Sequence, residues 1–334
     1  MASSTALPLS VIDFATVRPG QAVGDALRDS VALAQKSEEL GYDRVWYAEH
    51  HNMGSIASSS PAVLMAHIAS QTSSIRLGSG GVMLPNHSPL VIAEQFGTLE
   101  TLHPGRIDLG LGRAPGTDPQ TLVALRREAS AAERFPEDVR ELKAFLGGKP
   151  TDIARTRGIV AVPGRGTEVP LYILGSSLFG AQLAAAYGLP YAFASHFAPD
   201  ALEQASQVYR EKFQPSDQLD EPYMIAAVNV VADHDTERAG RTLIEYQRQR
   251  VKLMAARGRD LSEEQLDMVM DSPAGAQILH MISYTAVGDG PDVREYLERF
   301  AHRAGADELM IAPVGSDRER IHGTLEVLRE AWGH

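Results

Sequence analysis

The stretch "SIRLGSGGVML", residues 74–84, predicts a β-strand that contains several glycines. Glycines inside a strand indicate a bulge or a close approach of another backbone or of a ligand. A helical pattern follows from about Pro89 to Leu102, and a second strand pattern, "RIDLGLG", spans residues 106–112. This succession of strand, helix and strand is the unit from which the fold can be worked out, because it recurs along the chain.

The same alternation extends from end to end and predicts eight strands joined by helices. Strands that alternate with helices are parallel and are connected by right-handed crossovers. An open doubly wound sheet is the alternative, but eight strands favour closure into an α/β fold of the (β/α)8 TIM-barrel type. We predict a single domain over residues 1–334, with insertions after strands 4 and 7. The predicted strands are 7–13, 43–48, 74–84, 106–112, 171–176, 191–195, 223–232 and 307–314.

The composition is that of a globular protein and disfavours several classes of partner. Hydrophobic residues make up 44% of the 334 residues, and the formal net charge is −12. A charge of this sign disfavours binding to nucleic acid or to an anionic membrane surface. Cysteine is absent, which excludes disulfides and thiolate catalysis. The longest apolar stretch, residues 224–232, is shorter than the ~20 residues of a membrane span, and we expect a cytoplasmic protein without a signal peptide.

Two adjacent histidines, His50 and His51, stand in "YAEHHNMGS", residues 47–55, at the end of the second predicted strand. Neighbouring side chains on a strand point to opposite faces, so the pair is poorly placed to bind one metal ion, and we predict no metal site. A structural histidine pair is a second possibility. We favour a single histidine that faces the barrel mouth as acid or base, because reactive residues gather at the carboxyl ends of barrel strands.

Two glycine-containing turns also lie at strand ends. Gly80 and Gly81 either allow tight packing or let the backbone approach a flat ligand. "ILGSSLFGAQLAAA", residues 173–186, predicts a strand, a turn and a helix whose first amides are suited to a phosphate group. An ordinary capped helix would have the same pattern. Arg113, at the end of the fourth strand, is a candidate ionic partner for that phosphate.

Taken together, four segments resemble the bacterial luciferase-like, flavin-dependent monooxygenases (alkanal monooxygenase-like). They are "AEHHN", "RLGSGGVMLPNHSPL", "GRIDLGLGR" and "ILGSS…GLPYAFASHFAP", and they occur in the family's order over nearly the whole chain. The chain departs from luciferase in having Gly112 in place of a cysteine and Ser176 in place of an acidic residue. Residues 257–284 fall where luciferase carries a mobile loop.

The resemblance implies that FMN binds across the barrel mouth and that His50 is the acid or base beside the flavin. Gly80 and Gly81 match the family's cis peptide, and Arg113 and the start of the predicted helix match its phosphate site. Four further strand-end residues are expected in the substrate pocket, although Asp13 is also a plausible turn former and His196 a plausible structural residue. The predicted cofactor-binding residues are Gly80, Gly81, Val82, Arg113, Gly175, Ser176, Ser177, Leu178 and Phe179. The predicted pocket residues are Asp13, Glu49, His51 and His196.

The activity implied by the resemblance is that of a flavin-dependent monooxygenase. Reduced FMN, supplied by a separate flavin reductase, reacts with O2 at flavin C4a, and the resulting peroxyflavin oxygenates a small organic substrate. The expected assembly is a homodimer. Alternatives are a flavin- or deazaflavin (F420)-dependent reductase or dehydrogenase on the same barrel, a non-catalytic flavin-binding protein, and a metal-dependent barrel hydrolase.

Overall fold

The computed structural model describes residues 7–148, 153, 156–256 and 261–333. Its strands are β1 (Leu9–Asp13), β2 (Arg44–Tyr47), β3 (Arg76–Met83), β4 (Ile107–Gly112), β5 (Leu171–Gly175), β6 (Tyr191–Phe193), β7 (Met224–Ala232), β8 (Thr285–Gly288) and β9 (Glu308–Pro313). Eight of them, β1 to β7 and β9, form a parallel barrel that closes through the pairing of β6 with β7. The predicted TIM barrel is therefore confirmed, and each predicted strand corresponds to a barrel strand.

Helices surround the barrel, and several begin where the sequence supplies a start signal. Proline occupies the first turn of α2 and α3, where its missing N–H costs nothing. Asp289 and Asp317 cap α11 and α12 by accepting backbone N–H groups. None of the helices within the described ranges is long and apolar enough to cross a membrane. The helices are α1 (Val23–Glu39), α2 (Pro61–Ala69), α3 (Pro89–Leu102), α4 (Pro119–Ala124), α5 (Phe135–Leu146), α6 (Leu178–Tyr187), α7 (Leu202–Lys212), α8 (Thr236–Ala256), α9 (Glu263–Met270), α10 (Pro273–His280), α11 (Gly290–Ala304) and α12 (Arg318–Trp332).

The two predicted insertions differ in content. After β4 the chain forms α4 and α5, and residues 156–170 then make turns, with Gly164 packed against α3. After β7 the chain forms α8, α9 and α10 and then β8, a strand that the sequence patterns do not predict. β8 has only four residues and pairs with the carboxyl-terminal half of β7. So short an apolar run is hard to distinguish from a loop in the sequence. Residues 257–260, at the start of the segment that corresponds to luciferase's mobile loop, lie outside the described residues.

A buried cluster of ion pairs occupies the barrel interior at the amino ends of the strands. Arg44 lies 2.8 Å from Asp108 and 3.0 Å from Glu308. Both carboxylates are fully buried. Arg76 pairs with Asp108 as well, and the Tyr223 hydroxyl donates to Glu308 at 2.6 Å. An apolar layer separates this cluster from the opposite rim. It consists of Ile12, Trp46, Tyr172, Ala192, Ile225, Ala227, Met310 and Ala312.

We predict that Arg44→Met lowers the free energy of unfolding by about 3–5 kcal/mol, because it leaves the buried Glu308 carboxylate without its cation, whereas Asp108 keeps its pair with Arg76. Chemical denaturation monitored by circular dichroism measures this change. Arg294→Met is the matched control, since it breaks an exposed pair with Glu298 at 2.8 Å and should cost no more than about 0.5 kcal/mol. Equal losses in the two variants would contradict the role given to Arg44.

Candidate active site

A cavity of about 440 Å³ opens at the carboxyl ends of the barrel strands. Its floor is apolar and comes from alternate residues of several strands. These include Ile12, Trp46, Leu174, Ala192, Ile225 and Met310. His50, Arg113 and His196 line the cavity together with the start of α6. An apolar basin with a few polar groups at its rim is the usual form of a small-molecule site.

His50 lies just beyond the end of β2, on a loop held by backbone hydrogen bonds. Its amide donates to the Ser58 carbonyl at 3.0 Å, and the Ser58 hydroxyl donates to the Ala48 carbonyl. The His50 ring lines the cavity, and its Nδ1 is buried with no hydrogen-bond partner among the described residues. Burial lowers the pKa of His50 below its usual value. The imidazole is therefore neutral near pH 7 and can accept a proton.

Glu49 and His51, both predicted in the substrate pocket, lie beside the cavity and not in its lining. The Glu49 side chain is 1% exposed and accepts hydrogen bonds from His51 Nε2 at 2.9 Å, His87 Nε2 at 2.7 Å and the Met83 amide at 3.1 Å. Burial would raise the pKa of Glu49, but these hydrogen bonds lower it below its usual value. This carboxylate therefore ties the loop after β2 to the end of β3, which is a supporting role. Within the described ranges, no group of three or more potential ligands is arranged to hold a metal ion.

The rim between β4 and α6 has the features of an anion-binding site. The Arg113 guanidinium lies 4.1 Å from the centre of the Phe179 ring, and no described acidic side chain forms an ion pair with it. Ser177 precedes α6, and its side chain makes no capping hydrogen bond. The first amides of the helix therefore lack intrahelical partners and carry the positive end of the helix dipole. Gly175, Ser176 and Ser177 line this part of the cavity.

Gly80 and Gly81 lie on the cavity wall in β3, and the peptide bond between them is cis. The pairing of β3 with β4 is irregular between Ser79 and Val82. A Cβ on Gly81 would lie 2.8 Å from the Gly110 carbonyl oxygen, so close packing of β3 on β4 requires glycine there. The tight-packing explanation therefore holds for Gly81, and the approach of a flat ligand stays a prediction.

His196 follows β6 and lines the cavity, where its ring contacts two aromatic side chains. The ring centres of His196 and Phe14 are 5.7 Å apart, and those of His196 and Phe197 are 4.8 Å apart. The ring centres of Phe14 and His50 are 6.2 Å apart, so Phe14 lies close to both histidines. Burial lowers the pKa of His196 to about 3, and Arg250 and His50 add to this effect. The side chain is thus a neutral imidazole at physiological pH.

The structure places three other predicted residues outside the lining of the cavity. Asp13, expected in the substrate pocket, borders a separate, smaller cavity beside α1, and its Oδ1 accepts the Ala15 amide at 2.8 Å. This contact agrees with the turn-forming alternative. The Val82 side chain is buried in the hydrophobic core, and the Leu178 side chain is partly buried and packs against the same core. The amide of Leu178 remains at the start of α6.

Most of the apolar residues that form the cavity, including Phe14, Trp46 and Leu174, are not predicted from the sequence. Barrel strands are buried on both faces, so their sequences do not alternate between apolar and polar residues. Without that alternation, inward-facing and outward-facing positions look alike. Phe14 could have been identified, because an aromatic residue directly follows the predicted end of the first strand.

The sequence model of the luciferase-like monooxygenase family matches residues 7–308. The chain belongs to this family. It is 43% identical to a luciferase-like monooxygenase of Escherichia coli K12 over 98% of both chains. It is also 34% identical to the N-acetyl-S-alkylcysteine monooxygenase of Bacillus subtilis, over 79% of both chains.

Solved structures have the same fold. The crystal structure of apo-MsnO8 superposes with a TM-score of 0.84, covering 97% of this chain and 98% of that one, and the two sequences are 33% identical. An F420-dependent secondary alcohol dehydrogenase in complex with an F420-acetone adduct has a TM-score of 0.69 and is 18% identical, over 99% of this chain and 100% of that one. The likeness to the F420-dependent enzyme shows the fold alone. The barrel by itself therefore does not indicate whether a protein binds FMN or the deazaflavin F420.

We predict that the free energy of unfolding falls as the pH is lowered from 6.5 to 5. The unfolded chain protonates His196 below pH ~6.5, whereas the folded protein keeps it neutral down to a pKa of about 3. Stability is therefore lost as the pH falls through this interval, by about 2 kcal/mol for this residue.

Denaturant midpoints measured between pH 5 and 8 check this prediction. His196→Phe should flatten the pH dependence, and His302→Phe, at an exposed position on α11, should keep it. A variant at position 196 with the native slope would contradict the prediction.

Proposed function

We propose that the protein is an FMN-dependent monooxygenase that uses reduced FMN and O2 to oxygenate a small organic substrate. The observation that carries this proposal is the combination of an anion site at one part of the rim with an apolar basin beside Gly80 and Gly81. A phosphorylated flat ligand needs both features. Arg113, Ser176, Ser177 and the amides at the start of α6 would hold its phosphate.

The chain's own residues also suit the chemistry. Bound reduced FMN would supply the electrons that activate O2. The apolar floor would keep bulk water away from the reacting groups, which limits unproductive decay. His50, neutral and directed into the cavity, would take up and return a proton during oxygen transfer.

Two further parts of the proposal concern partners. A separate flavin reductase would supply reduced FMN, and the protein would act as a homodimer. The main alternative is a deazaflavin-dependent reductase or dehydrogenase, because an F420-dependent dehydrogenase has the same fold. Parallel titrations with FMN and with the deazaflavin cofactor distinguish the two, because a clear preference for deazaflavin would contradict the monooxygenase proposal.

We predict that Arg113→Met weakens FMN binding by about tenfold or more, since a hydrogen bond to a charged group contributes ~1.5–3 kcal/mol. Riboflavin, which lacks the phosphate, is the matched control ligand, and its affinity should barely change. Flavin fluorescence titration measures both affinities. Equal weakening of FMN and riboflavin would contradict the assignment of Arg113 to the phosphate.

We predict that His50→Ala leaves FMN binding nearly intact and lowers turnover by ~10²–10⁴-fold, the usual contribution of a general acid or base. The assay is oxygen consumption and product formation with aldehydes, ketones and sulfonates, in the presence of an added flavin reductase. Native turnover by the variant would show that His50 does not transfer the proton.

A further inference from the structure

The two residues on either side of His50, Glu49 and His51, are joined to each other through their side chains. An ionised carboxylate only accepts hydrogen bonds, so His51 Nε2 donates to Glu49 Oε1, at 2.9 Å. Neither side chain lines the cavity, whereas the His50 ring does. The two neighbours therefore hold the backbone of His50 from both sides and leave its imidazole free to act in the cavity.

The Glu49 carboxylate also connects this backbone to the end of β3. His87 Nε2 donates to Oε1 at 2.7 Å, and the Met83 amide donates to Oε2 at 3.1 Å. Met83 is the last residue of β3, two positions after Gly81. Glu49 is 1% exposed, so bulk water does not compete for these bonds. The position of His50 is thereby fixed relative to the glycine wall of the cavity.

A third strand end packs against the same point. The His51 amide donates to the carbonyl of Gly116 at 3.3 Å, and Gly116 lies three residues after Arg113. A Cβ on Gly116 would lie 2.9 Å from the Glu49 carbonyl oxygen, so the loop after β4 contacts the backbone of Glu49 directly. Glu49 thus lies where the ends of β2, β3 and β4 meet. These ends carry the proposed acid or base, the glycine wall and the phosphate cation.

The bonds that Glu49 makes depend on its charge. Among the described residues its partners are the imidazoles of His51 and His87 and one backbone amide, and no lysine or arginine forms an ion pair with it. The hydrogen bonds hold the pKa of Glu49 below its usual value, so both oxygens accept at neutral pH. A glutamine has the same size but only one acceptor oxygen, so it cannot keep all three bonds in their present form.

Resting on the proposed function, we infer that Glu49 is a positioning residue for the oxygenation reaction, and that it acts through His50 by fixing the imidazole relative to the glycine wall. Glu49 itself does not line the cavity. Misplacement of a reacting group by about 1 Å can lower a rate by ~10²-fold. A buried glutamate that only stabilised the fold would change the amount of folded protein and leave the rate of each folded molecule unchanged.

The first test is the kinetics of Glu49→Gln, in the oxygenation assay described for His50→Ala. We expect kcat to fall by about 10–100-fold, whereas the KM for the substrate and the Kd for FMN should stay close to the native values. Glu49→Asp, which keeps the charge, should recover part of the turnover. Native kcat in Glu49→Gln would overturn the inference.

Glu38→Gln is the matched control, because the Glu38 carboxylate also accepts three hydrogen bonds but lies at the amino end of β3. Its kcat should equal that of the native protein. Equal losses of kcat in Glu38→Gln and Glu49→Gln would overturn the inference. The three donors to Glu38 Oε1 are the amides of Ser73 at 2.8 Å, Ser74 at 2.5 Å and Ile75 at 2.9 Å.

A double-mutant cycle shows whether Glu49 acts through His50. If it does, the double variant Glu49→Gln/His50→Ala should turn over no more slowly than His50→Ala alone, because a misplaced imidazole no longer matters once the imidazole is removed. Additive losses in the double variant would show that Glu49 acts independently of His50, and would overturn the inference.

Hydrogen exchange of the Met83 amide, followed by NMR, tests the link without turnover. Its protection in the native protein should be lost in Glu49→Leu, which has no acceptor, and kept in Glu38→Gln. Equal protection in native protein and Glu49→Leu would overturn the inference. An FMN titration precedes the kinetics. Absence of FMN binding or of turnover by the native protein would contradict the proposed function itself, whereas normal FMN binding and turnover with additive losses would contradict only the role of Glu49.

Discussion

The pairing of β6 with β7 is the interaction on which the rest of the structure depends. Tyr191, Ala192 and Phe193 pair with residues 224–226 of β7 in parallel register, and this ladder closes the barrel. Closure turns a row of strands into a ring, so that strand ends far apart in sequence meet at one rim. His50, after β2, and His196, after β6, line the same cavity only because the ring is closed.

Much of this arrangement could be predicted from the sequence, and what could not has a physical explanation. The eight barrel strands, the cavity-lining positions of His50, Arg113 and His196, and the turn before α6 follow from alternation and from strand ends. The support given by Glu49 could not be predicted, because its partner His87 comes from another strand end and the contact depends on the folded loop. β8 was missed because four residues contain too little periodicity.

The barrel interior is divided by charge. At the amino ends of the strands, Arg44 pairs with Asp108 and Glu308, and buried charges of this kind persist only when they are paired. Residues two positions further along point to the same side of a strand, which places Trp46 after Arg44 and Met310 after Glu308, both in the apolar layer. The indole of Trp46 donates to Asp108 at 3.1 Å, so the cavity floor is anchored to the ion pairs. At the rim above that layer, the described residues that line the cavity include two neutral imidazoles, those of His50 and His196, and one cation, Arg113.

The insertion after β7 supports the site and does more than cover it. Asn229, in β7, donates its backbone N–H and its side-chain amide to the carbonyl of Tyr284, the residue just before β8, and the side-chain amide also donates to the His196 carbonyl. Tyr246, in α8, lies within 3.4 Å of the Asn229 side-chain oxygen. Asn229 is 2% exposed, so its amide has no competing contact with bulk water. A change of length or packing in α8 or β8 would thus reach the cavity through Asn229, which links an insertion outside the barrel to the backbone of a histidine that lines its cavity.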